Sequence, residues 1–245
     1  MNTELVVASV SSVVALVSVL FSARASSKQT LLSAELDRQA SDQGRLAERQ
    51  DVMSRHRDPL LWAAYDLQSR LYNIVDRDFL RIYYAGRTDR DRAYARRSTL
   101  HVLAEYLGQV EILRRRIQFL DLGNRRDNRL LVWHFTKIGN VLNNDGYADR
   151  HFQVFRSDQR AMGEVVIRDD GDSCLGYAEF CQRLESDPEF ATWFEPLVES
   201  IHELAATESP HLRLVRLQVA LMDLIDFLDP EADRFPDHRR GRLSP

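Results

Sequence analysis

Asp66, Gln68, Arg70 and Tyr72 stand within seven positions of one another, on a stretch (58–84) that otherwise reads as a helix with two adjacent apolar stripes. A carboxylate, an amide, a guanidinium and a phenol on a core helix are groups that can line a polar pocket and bind a ligand or move a proton there. Where no ligand is held, the same groups are satisfied by backbone or by each other, which is the commoner fate of polar side chains on a core helix. Elsewhere the chemistry-bearing residues do not assemble into a recognised pattern. His202-Glu203 begins like a zinc-protease helix, but Ala206 stands where the second histidine is needed. Asp169-Asp170-Gly171-Asp172 lacks the alternating ligands and closing glutamate of a calcium loop. Cys174 and Cys181 could meet His134 or His151 only through the fold. Phosphate-cradling glycine loops and the Gly-x-Ser-x-Gly elbow of hydrolases are absent. No cofactor or metal is expected. Trp62, Trp133 and Trp193 each fall in an apolar helical pattern and read as core residues.

Charge adds one candidate surface. Residues 81–130 carry 12 basic and 6 acidic side chains, whereas 131–245 carry 12 and 21. A basic middle facing an acidic C-terminal half can attract a charged partner or pair internally. Acids at Asp89, Asp91, Glu105 and Glu111 interrupt the basic run. Internal pairing is therefore expected, nucleic acid is not, and anionic lipid is the other candidate. Of the 33 cationic residues only Lys28 and Lys137 are lysine. That bias points to a GC-rich bacterial genome before it points to any function.

The stretch that must position everything else is Leu5 to Ala23, nineteen residues without a charge. At about 1.5 Å per residue it spans roughly 28 Å, close to the hydrocarbon thickness of a bilayer. Ala23-Arg24-Ala25 would satisfy a signal-peptide cleavage rule, but Met1-Asn2-Thr3-Glu4 lacks the positive charge a signal peptide carries. Arg24 and Lys28 follow the run, so the expectation is a single-pass anchor over 1–24 with the N-terminus outside and the remainder cytoplasmic. Two cysteines without close spacing agree with a reducing compartment.

Residues 25–57 form the expected stalk. Leu32, Leu36, Leu46 and Met53, with glutamines between them, recur at alternating intervals of a heptad seam. Continued backwards, the seam passes through Ser22, Ser18, Ala15, Ser11 and Ala8. Small residues on one stripe let membrane helices approach closely, so a parallel homodimer is a natural expectation. Glutamines in the seam weaken it, and small residues also occur off the stripe at Ser9 and Ser12.

Asp58-Pro59 signals the start of the cytoplasmic domain, 58–228, expected as a bundle of about six helices. Residues 86–97 read as a charged connection and first turn, followed by a long helix to about Leu120. A helix opened by Asp127 or Asn128 comes next, and within 155–176 a helix capped by Ser157 or Asp158 and running to Ile167 is expected, a short strand and turn being the alternative. Asp187-Pro188 repeats the cap-and-proline signal, Pro196 either kinks the helix it opens or divides it in two, and Ser209-Pro210 opens the last helix, which ends at Asp229-Pro230. Residues 229–245 read as a flexible tail. The chain is thus expected to be all-α: anchor, helical stalk and bundle. It would act as a non-enzymatic protein-interaction or regulatory module at the inner membrane face. The alternative is a membrane-tethered enzyme or effector whose pocket lies around Asp66, Gln68, Arg70 and Tyr72.

Overall fold

The structure, a computed structural model, describes residues 38, 41, 44, 55–86, 88–117, 125–148, 150–206, 211–235 and 241–244. The chain divides into two compact units, Met1–Asp51 and Val52–Pro245. In the first, Arg38, Ser41 and Gly44 are helical and exposed. The expected anchor, its stripe from Ala8 to Ser22, and the seam residues Leu32, Leu36, Leu46 and Met53 lie outside the described residues. Among those described, no helix is long and apolar enough to cross a membrane, and all regular structure is helical.

The second unit is a bundle built from α1 (55–76), α2 (Asp89–Ile117), α3 (Arg125–Asn143), α4 (Arg156–Val165), α5 (Tyr177–Ser186), α6 (Pro188–Thr192), α7 (Glu195–Ala206) and α8 (Leu212–Leu228). Helix α8 supplies much of the core: Leu214, Leu217, Leu221, Leu224, Ile225 and Leu228 are all closed to solvent. Each such side chain contributes about 1.5–3 kcal/mol of hydrophobic stabilisation. Leu60, Leu61, Ala64, Leu67 and Leu71 of α1 belong to the same core, together with Leu103, Ala104 and Tyr106 of α2.

Several boundaries differ from those expected, each for a local reason. Residues 55–58 are already helical, so Asp58 does not open α1; its carboxylate pairs instead with Arg234 at 2.9 Å. The helix expected over 58–84 is broken after residue 76. Asp78 takes a left-handed backbone (φ 51°), and the chain resumes as a single π-helical turn, Arg81–Ala85. The charged segment 86–97, expected as a connection and first turn, is helical from Asp89, where α2 begins with Thr88 and Asp91 bonded to each other at its head. Both readings of 155–176 hold in part. Helix α4 ends at Val165, and Ile167 then pairs with Cys174 in an isolated antiparallel bridge. The acidic run between them closes that turn: the Asp170 carboxylate accepts from the backbone N–H of Asp172 and Ser173. Asp187 caps α6 as expected, accepting from the Phe190 N–H at 3.0 Å with Pro188 at the first helical position. The three tryptophans are not core residues. Trp62 and Trp133 are each 52% exposed and Trp193 40%, because the helical period alone does not separate the rim of an apolar face from its centre.

The tail is packed where it is described. Phe235 is buried and stacks on Tyr65 with ring centres 3.8 Å apart, and Arg242 pairs with Asp223 and Asp226 of α8. At the other end of α8, Arg213 is fully buried and donates to the carbonyls of Val141, Leu142 and Asn144. A guanidinium thus satisfies the open carbonyls at the C-terminus of α3, where the helix dipole also favours positive charge.

Candidate functional site

The four polar residues of α1 divide into two pairs that face different neighbours. Gln68 is buried and accepts from the Gln218 side chain of α8 at 3.0 Å. Tyr72, one turn on, faces the C-terminal segment: a side chain at Gly241 would lie 3.2 Å from its ring. Asp66 and Arg70 turn toward α2. Arg70 lies 4.1 Å above the Phe79 ring, and Asp66 raises the pKa of Glu105. Residues 66 and 68 are two positions apart, about 200° around a helix, so one wall cannot hold both pairs.

The Asp66 side is nevertheless a titratable cluster. Burial raises both Asp66 and Glu105, the charge of Arg70 opposing the shift at Asp66 and the charge of Asp66 adding to it at Glu105. Burial lowers His101, whose Nε2 donates to the Leu175 carbonyl at 3.3 Å. Its Nδ1 lies 3.8 Å from Glu105, and its ring packs edge-on against Tyr177 and Phe180. All three groups are thereby pushed toward neutrality. Nearby, Cys174 is pushed up to about 12 by burial and by Glu105, so its thiol is not a nucleophile at neutral pH. Among the described residues no group of three or more His, Cys, Asp or Glu could hold a metal ion.

A different site emerges where α2, α3 and α4 meet. Helices α2 and α4 cross in close contact because Gly108 and Gly163 face each other's elements. A side-chain carbon at Gly163 would sit 2.7 Å from the Leu107 carbonyl of α2, and one at Gly108 would sit 3.7 Å from the Gly163 carbonyl of α4 and 2.6 Å from Cys174 Sγ beyond it. Helix α3 is tied to the head of α4 by the buried Gln159, which donates to the Gly139 and Val154 carbonyls at 3.0 and 2.8 Å. Asn143 accepts from the Arg156 N–H at 3.1 Å. These ties leave a groove of about 410 Å³ between the two walls. Leu107, Val110, Val132 and Phe135 form its apolar lining, and Arg114, Arg156 and Arg160 stand around it. A second hollow over α4 shares Arg156 and Arg160 and ends at Glu164.

The electrostatics of this groove centre on Glu111. It is 2% exposed and accepts two hydrogen bonds from Arg114 at 2.6 Å and one from Arg115 at 3.0 Å, with Arg160 at 3.9 Å. Burial alone would raise its pKa, but the bonds from Arg114 and Arg115 outweigh that and hold it below the usual carboxylate range. Glu164 lies 3.6 Å from both Arg115 and Arg160. Three arginines, Arg114, Arg115 and Arg160, thus contact the two glutamates, and with Arg156 also lining the groove cations outnumber anions there, so the rim is positive.

Part of the basic middle is paired with the acidic C-terminal half: Arg97 with Glu185, Arg116 with Asp172 and Arg115 with Glu164. Sequence reasoning missed the groove because its wall residues lie on three helices, and their approach depends on glycines that look unremarkable in the sequence. The exposed Val132, on the polar side of an amphipathic helix, was the one signal available. No protein-family model, no curated protein and no solved structure matches this chain, so the reading of the site rests on its geometry.

Proposed function

We propose that the chain is a single-pass membrane protein whose helical domain acts at the cytoplasmic face as a non-enzymatic protein-interaction module. The stripe of Ala8, Ser11, Ala15, Ser18 and Ser22 would align two copies in parallel, and a tether would raise the local concentration of the domain near its partner. The observation that supports a binding module is the groove beside Glu111. Its apolar lining and its carboxylate-held arginines are recognition groups, not a nucleophile with its base.

The test is photo-crosslinking in intact cells, with the reactive residue placed at Val132 or at Ser18, together with a reporter fused to the C-terminus that works only after export. A discrete heterologous adduct from Val132, a self-adduct from Ser18 and a silent reporter are expected. An active reporter overturns the orientation. Absence of any adduct at Val132 overturns the module.

One observation favours a second reading, an enzyme or effector: Asp66 and Glu105 are both held toward the protonated form. Under that reading Asp66→Asn abolishes cellular function while Val132→Glu is silent. The groove reading expects the reverse.

A further inference from the structure

Resting on that module reading, we infer that the groove between α2, α3 and α4 takes an acidic amphipathic helix of a partner protein, apolar face inward. The wall of α2 runs from Leu107 to Arg114, eight residues spanning about 10 Å of helix, which is two turns. Two turns are what a docking helix covers with apolar anchors at i, i+3 or i+4, and i+7. The lining offers contacts for such anchors, and Val132 is 43% exposed, so its apolar wall reaches solvent.

Charge decides the flank of the incoming helix. Arg114 and Arg115 are held by Glu111, which is itself ionised and inaccessible, while Arg156 and Arg160 are exposed where the two hollows join. Acidic side chains beside the apolar stripe would meet guanidinium groups already oriented by Asn140, Glu111 and Glu164. A basic flank would meet the same positive rim and be repelled, so the groove discriminates by sign as well as by shape.

The test is selection of binders from an unbiased display library of helical peptides, using the full-length chain in zwitterionic nanodiscs. The enriched peptides are expected to be net acidic with an apolar stripe. They should lose about tenfold or more in affinity on Arg156→Glu combined with Arg160→Gln, and again on Val132→Glu. Thermal melts of each variant separate a lost contact from a lost fold. Enrichment of neutral or basic peptides, binding indifferent to both variants of folded protein, or no enrichment overturns the inference. So does native mass spectrometry showing a co-purified fatty acid that Val132→Glu releases, since the groove would then hold a small amphiphile. If those outcomes occur while the Val132 crosslink persists in cells, the module stands and only the occupant is wrong. If the crosslink is also absent, both fall.

Discussion

Gln218 on α8 donates from its side-chain nitrogen to the side-chain oxygen of Gln68 on α1 at 3.0 Å, and both residues are closed to solvent. The same nitrogen donates to the Gly241 carbonyl at 2.7 Å, and the Gln218 oxygen accepts from the Leu243 N–H at 3.1 Å. One buried amide therefore joins the first helix of the bundle, the last helix and the C-terminal segment.

Replacing Gln218 by leucine leaves the Gln68 oxygen buried without that partner, whereas the freed groups at Gly241 and Leu243 lie nearer solvent. An unsatisfied buried acceptor costs about 1–3 kcal/mol. Gln218→Leu is therefore expected to lower the unfolding free energy by about 2 kcal/mol in urea titrations. Gln68→Leu added to it should restore part of the loss, because the orphaned acceptor is gone. Strictly additive losses in the double variant would show that the two amides are not coupled.

This pair also shows what the sequence could and could not convey. Gln68 is recognisable as a polar intruder on an apolar stripe, and its burial follows from the helical period. Its partner is not recognisable, because Gln218 lies 150 residues away. The helices themselves were legible wherever a local signal was strong: Asp187-Pro188 caps α6, and Leu214 to Leu228 form the inner face of α8. What failed depended on tertiary context. The left-handed backbone at Asp78 breaks a helix whose side-chain pattern runs on unbroken. Arg213, at the head of α8, is buried at the end of α3, and no local pattern conveys that contact. The groove was hidden for the same reason, since Val110, Phe135 and Arg156 become neighbours only through the crossing of α2 and α4.

That crossing makes a second prediction, in which two effects of one substitution oppose each other. Gly163→Ala gains about 1 kcal/mol from helix propensity. It also puts a carbon 2.7 Å from the Leu107 carbonyl and 3.1 Å from Glu111 Cβ. The carbonyl belongs to the backbone of α2 and cannot swing aside, so the overpacking cost falls at the upper end of the usual 1–3 kcal/mol range, at about 3. The net expectation is a loss of about 2 kcal/mol by calorimetry or urea unfolding. The widened crossing should also weaken peptide binding at the groove. A stabilised Gly163→Ala protein would mean that the close approach is not required.

The third prediction uses the opposite shifts of two glutamates on α2. Glu105 has a raised pKa in the folded protein, so the native state holds its proton more tightly than the unfolded chain, whose ordinary value is 4.5. Its contribution to stability therefore falls as pH rises above 4.5 toward the raised value, and it stays unfavourable at neutral pH. Glu111 is the reverse case. Its pKa is lowered, so its contribution is present above 4.5 and is lost as pH falls from 4.5 toward the lowered value. Glu105→Gln is expected to be neutral or stabilising at about pH 7, the gain fading to nothing near the ordinary carboxylate value. Glu111→Gln is expected to cost about 2 kcal/mol at neutral pH, discounted for the half-exposed arginines it pairs with, and progressively less in acid. Urea midpoints collected from about pH 3.5 to 8 separate the two, because their windows lie on opposite sides of 4.5. A Glu111→Gln protein that lost the same stability at every pH would place the cost in packing, and the arginines at the groove rim would then owe their positions to something other than that carboxylate.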